Sequence, residues 1–178
     1  MSQLRVQPVD TKTIRISGIE PFLADCLETL GETLEQRDSP RASGRLFPPP
    51  TADSDKANED WQKFVDPDLR HLFVSAGETV LRDLTGLQPE APAQPPASYQ
   101  VTFSAQHANA WISALNQARL ILGELFHITE EDMNKTRFDV TDERTLAIVR
   151  IHLLGYLLHL FVEMANPETG GDGPKTPV

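Results

Sequence analysis

Residues Thr145–Ala165 read TLAIVRIHLLGYLLHLFVEMA, and the reading of this stretch decides the fold. Plotted at 100° per residue, Leu146, Leu153, Leu154, Leu157, Leu158, Leu160, Phe161 and Met164 cover well over half of a helix surface. So apolar a rod predicts a central helix, around residues 142–165, with the rest of the chain packed about it. The strip left over carries His152, Tyr156, His159 and Glu163 at offsets of four, three and four, so these side chains fall in line. The stretch has membrane-spanning length. Arg150, His152, His159 and Glu163 would each be costly in lipid, which predicts a buried soluble helix and no membrane partner.

Working back toward the N-terminus, Thr141, Asp142 and Glu143 have the residue types that start this helix. Thr129 and Asp132 open a short acidic turn. Before it, Ser104 starts a helix to about Phe126, with Ala108, Trp111, Leu115, Ala118, Leu122 and Phe126 on one face. Tyr99–Phe103 (YQVTF) alternates as a strand. Four prolines make residues 88–98 a stiff connector expected to pair with nothing. Asp66 caps a helix with Pro67 in its first turn, and Gly86-Leu87 reads as a Schellman stop. A shorter helix covers Asp55–Val65.

Residues 39–53 contain Ser39, Pro40, Ser43, Gly44 and three consecutive prolines, and are expected to form a mobile loop. A first helix over about Glu20–Gln36 buries Leu23, Leu27, Leu30 and Leu34, with Cys26 on its apolar side. Ser17 and Glu20 have capping-box spacing ahead of Pro21. Alternation in Leu4–Val9 and Thr13–Ile19 (TIRISGI) predicts a hairpin. The fold class is therefore α+β and mainly α-helical: about five helices around the C-terminal one, with an antiparallel sheet of two or three strands.

A chain of 178 residues with 39% hydrophobic content can bury one substantial core, so residues 1–166 are expected to form one compact domain. Residues 167–178, rich in Gly, Pro and Thr, are expected to be a disordered tail. A net charge of −10 and pI near 4.9 disfavour nucleic acid, whose binding needs Lys and Arg to replace counterions. The single cysteine cannot form an intramolecular disulfide, and no basic start with an apolar stretch opens the chain. A cytoplasmic location is expected.

Residues 110–132, AWISALNQARLILGELFHITEED, follow the YQVTF strand and resemble a bacterial domain family of unknown function. In that family a strand leads into a helix with Trp, Ala-Leu-Asn, Arg-Leu and Leu-Gly at these spacings. The matching positions are Trp111, Ala114, Leu115, Asn116, Arg119, Leu120, Leu122 and Gly123. TIRISGI and the first helix are similar more weakly. The resemblance implies no activity. Because the family's genes often neighbour the adaptor of the Clp protease, it implies by association a role in protein turnover.

His159 and Glu163 are four apart, a spacing at which two side chains can share a metal. His152 lies about 10 Å farther along the axis, at 1.5 Å per residue, too far to complete a site. The strip His152, Tyr156, His159, Glu163 is therefore read as a polar face or partner-binding surface, with no metal. Arg150 falls inside the apolar arc, where a structural ion pair is favoured over an anion site. Asn116 and Arg119 read as a structural clasp, and Trp111 as a core anchor.

No G-x-G-x-x-G, H-E-x-x-H, C-x-x-C or G-x-S-x-G is present, and GGDGPKT in the tail lacks the Gly-Lys step of a phosphate loop. No catalytic residue and no cofactor are expected. The preferred reading is a non-enzymatic interaction or regulatory protein whose partner is another protein, with a homo-oligomer left open. The competing reading is an enzyme that binds a small molecule or anion through Arg150 or the His152/His159/Glu163 strip. Catalysis needs a pocket with converging polar groups, whereas recognition needs only an exposed patch.

Overall fold

Alternating apolar residues build the sheet. In the computed structural model, which describes residues 3–51, 53–92, 95–134 and 142–166, β1 (Arg5–Pro8) and β2 (Thr13–Ile19) form the expected hairpin. Farther along come β3 (Gln88–Pro89) and β4 (Tyr99–Ser104), and the antiparallel order across the sheet is β1-β2-β4-β3. Ile14 and Ile16 stand opposite Phe103 and Val101, and all four are buried. Between Ile16 and Ile19 the β2–β4 register slips, and Gly18 takes φ +69°. A Cβ there would run into the Gln3 carbonyl, so glycine is required.

The connector at 88–98 departs from expectation, because Gln88 and Pro89 pair with Gln100 and Tyr99. Proline is tolerated there because β3 is an edge strand, where a missing N–H breaks no interior ladder. Glu90 reinforces the pairing: its carboxylate accepts the Gly18 N–H at 2.7 Å and the Ser98 hydroxyl.

Eight α-helices are described where about five were expected. The first predicted helix is split at Thr29 into α1 (Pro21–Glu28) and α2 (Leu30–Glu35). The Thr29 hydroxyl donates to the Asp25 carbonyl at 2.9 Å. Ser17 forms no capping box. It pairs with Arg5 inside the sheet, and Glu20 occupies the N-cap without a side-chain bond.

The predicted loop at 39–53 is corrected by α3 (Pro40–Leu46). Ser39 accepts the Ala42 N–H, and Pro40 sits in the first turn, where it disrupts nothing. Ala42, Leu46 and Phe47 are buried, and Phe47 meets the Phe73 ring at 5.3 Å.

Next come α4 (Asp55–Phe64) and α5 (Asp66–Leu84). Asp66 does not cap α5; its carboxylate takes Arg70 Nε at 2.6 Å, while Pro67 does occupy the first turn. The end of α5 is also simpler than a Schellman motif, since Gly86 does not adopt positive φ and the last N–H groups bond three residues back. The remaining helices are α6 (Ala108–Leu125), α7 (Glu130–Met133) and α8 (Glu143–Ala165). Thr129 and Asp132 form a full capping box on α7, and Asp142 caps α8. Thr141 and the tail from 167 lie outside the described residues.

The α+β class and mainly helical content are as expected, but the element the others surround is α6. It packs against α2, α3, α5 and α8, and buries Trp111, Ala114, Leu115, Gln117, Ala118, Ile121 and Leu122. In contrast, α8 packs on α6, β1 and α1 and buries one side: Ala147, Ile148, Ile151, Leu154, Leu157 and Phe161. Ala114 and Ala118 let neighbours approach α6 closely, because helix separation follows the size of the contact residues. Phe103 of β4, Trp111 of α6 and Phe161 of α8 join the layers, with ring centroids 4.8 Å and 5.8 Å from Trp111.

Candidate functional site

With one side of α8 buried, its opposite side is left to the surface. His152, Tyr156, His159 and Glu163 all lie there and are exposed. His159 Nε2 and Glu163 Oε1 approach to 3.1 Å across one helical turn, in a solvent-screened position. Among the described residues, no group of three or more His, Cys, Asp or Glu side chains is placed to hold one ion.

Tyr156 belongs to a second feature as well. It borders a hollow of about 420 Å3 formed where α1 and α8 meet the start of β1, with Leu4, Phe22, Leu23 and Leu153 supplying apolar walls. Gln3, Gly18 and Glu20 complete the lining. Phe22 is 39% exposed and Tyr156 47%, so two aromatic rings stand at the surface beside an apolar depression. Val162 is also exposed. Among the described residues α8 alone is long and apolar enough to cross a bilayer, yet only 33% of its apolar window is buried within the fold. The outward face thus combines polar groups with uncovered apolar surface.

Arg150 lies on a different side of α8. Its Nη2 is 3.6 Å from Asp25 Oδ2, and its side chain is 28% exposed against 58% for the aspartate. The expected acidic partner is present, but the pair is half in solvent, and Arg150 Nε is buried without a hydrogen-bond partner. Next to it, burial pushes the Cys26 thiol up, with Arg150 opposing.

Asn116 and Arg119 do not clasp one another. Asn116 is exposed, while the Arg119 guanidinium lies flat against Gly155, where a Cβ would come within 3.1 Å of Nε. Both border a smaller hollow of about 250 Å3 that Arg45 and Glu124 also line.

Residues 16–165 match the family described as Domain of unknown function (DUF2017). The chain belongs to that family. No curated protein and no solved structure gives a match. The DUF2017 match runs from within β2 to the end of α8, and so takes in the exposed strip, the smaller hollow and all the lining of the larger one except Gln3 and Leu4.

Three polar clusters of this DUF2017 domain escaped sequence reasoning. Asp83 accepts the Trp111 indole N–H at 2.9 Å and stands 3.0 Å from His107 Nδ1, tying α5 to α6. Arg70 binds Asp66 and, at 2.7 Å, Asp38, and it covers the Phe47 ring at 3.9 Å, so it fastens α3 to α5. Arg144 reaches the 4%-exposed Asp132 at 3.1 Å and the His127 carbonyl at 2.9 Å, joining α8 to α7. Apart from Arg70 and Asp66, four apart on α5, these contacts join residues 12 to 32 positions apart, and local spacing carries no signal for such pairs. Asp132 was visible only as a cap.

Proposed function

We propose that this DUF2017 domain is a non-enzymatic interaction or regulatory protein, acting in the cytoplasm of bacteria and linked to protein turnover. The observation that carries this reading is Tyr156, which is shared by the exposed strip and the apolar hollow rimmed by Phe22. Aromatic rims around an apolar depression suit an inserted side chain, because rigid rings bury large area at small entropy cost. Glu20 at the hollow and Glu163 on the strip favour a partner that places basic groups around its apolar anchor. The link to turnover rests on the gene context of the family the central block resembles.

An enzyme built on Arg150 or the strip has less support, since Arg150 is paired with Asp25 on another side of α8 from the histidines. Calorimetric titration with the purified Clp adaptor tests the preferred reading. Saturable binding that weakens about tenfold in Phe22→Ala and in Tyr156→Ala is expected, as for central aromatic contacts. Absence of binding would remove the turnover link, and binding indifferent to both substitutions would remove the surface.

A further inference from the structure

Arg119 is a cation that the fold positions and does not pair. Its guanidinium crosses from α6 to rest on α8 at Gly155, where a Cβ would come within 3.1 Å of Nε. Nε is buried there without an acceptor, and among the described residues the side chain makes no hydrogen bond or ion pair with protein. A partly buried charge in that state is costly, because water is withdrawn and no carboxylate or carbonyl replaces it. Arg70 and Arg144, by contrast, each hold aspartates. Arg119 borders the hollow of about 250 Å3 lined from α3, α6, α7 and α8. Arg45 of α3 lines the same hollow, and among the described residues it too has no protein partner.

We propose that this hollow binds a small organic monocarboxylate with an apolar tail. Charge sets the first part of that assignment. Arg45 and Arg119 against the single carboxylate of Glu124 leave the lining with an excess of one positive charge, on a chain whose net charge is −10. One bound carboxylate balances the lining, whereas a phosphate monoester, with about two negative charges at neutral pH, overshoots it beside Glu124. The planar fork of an arginine takes both oxygens of a carboxylate, and the exposed Asn116 carboxamide adds a neutral donor at the rim. The walls set the second part: Leu120, Ile128, Met133 and Ile151 offer apolar surface to a short hydrocarbon chain. Gly123 leaves room for it. A Cβ at this position would meet no protein atom within 4 Å, so neither close packing nor a positive φ requires glycine here, although glycine is a poor helix former. None of these residues lines the larger hollow, so the site stands apart from the Tyr156 surface.

Heteronuclear NMR titration of the isotope-labelled full chain with isocaproate tests this, read at the Arg119 Nε–H and at the backbone amides of Gly123 and Glu124. Saturable shifts confined to the lining are expected, with a dissociation constant on the order of 1 mM or below for a ligand this small. Isocaproamide has the same shape and no charge, and should bind at least about tenfold more weakly. Isopentyl phosphate carries the same tail on a doubly charged head and should also bind more weakly than isocaproate. Arg119→Gln should weaken isocaproate at least about tenfold. Gly123→Leu extends a side chain into the hollow and should abolish saturable binding, with a thermal midpoint no lower than wild type because leucine is the better helix former. Arg45 is exposed, so Arg45→Gln leaves the fold intact and should weaken binding several-fold. Absence of saturable shifts, binding unchanged in both Arg119→Gln and Gly123→Leu, or the amide or the phosphate bound as tightly as isocaproate would each overturn the proposal.

Discussion

The helices α6 and α8 are both long and apolar, and they meet opposite fates. In α6, 18 residues are enclosed by four other helices, and even Gln117 is buried, donating to the Phe73 carbonyl. In α8, 23 residues of higher apolar content bury one side and show the other. Apolar composition measures what a helix could bury. The number of neighbours decides what it does bury, and small residues such as Ala114 and Ala118 admit more neighbours than leucines. Surplus apolar surface on α8 is thus a property to be explained by binding and not by the core.

If α6 is the centre, removing one of its walls should have the largest effect. Replacing residues 40–47 by a Gly-Ser linker of equal length deletes α3, with Ala42, Leu46 and Phe47, and leaves Arg70 without its ring contact. Cooperative urea unfolding is expected to be lost; a sharp transition at the wild-type midpoint would mean that this segment is a passive loop after all.

The two arginines of α8 sharpen the contrast at smaller scale. Arg144→Ala removes the ion pair to the buried Asp132 and should destabilise by about 2 to 3 kcal/mol, below the range for fully buried pairs because Arg144 is partly exposed. Arg150→Ala should lose about 1 kcal/mol or less, since Asp25 can return to water. Thermal unfolding of both variants will rank them, and the reverse order would show that the α1–α8 contact anchors α8 more firmly than the α7–α8 contact.

Much of this architecture was legible because it is local. The period-two runs TIRISGI and YQVTF pair as strands, and Thr129 with Asp132 caps a turn three residues long in spacing. α3 was hidden because Pro40 and Gly44 resemble breakers, and only the position of Pro40 in a first turn makes a helix there permissible. The central place of α6 was hidden because a helical wheel counts apolar residues and knows nothing of neighbours. At the candidate site, the alignment of His152, Tyr156, His159 and Glu163 followed from 100° per residue. The hollow that Tyr156 shares with Phe22 and Leu4 required three distant segments to meet, which no spacing encodes.

The central claim is that α6 holds the fold together while the outward face of α8 is spare surface. Equilibrium urea unfolding of Leu115→Ala beside Tyr156→Ala tests it most directly, at a concentration where wild type is monomeric. Leu115 is fully buried, and its truncation should remove about 2 to 5 kcal/mol. Tyr156 is 47% exposed, and its truncation should remove less than about 1 kcal/mol. Equal losses, or a larger loss at Tyr156, would contradict the account and return α8 to the centre of the molecule.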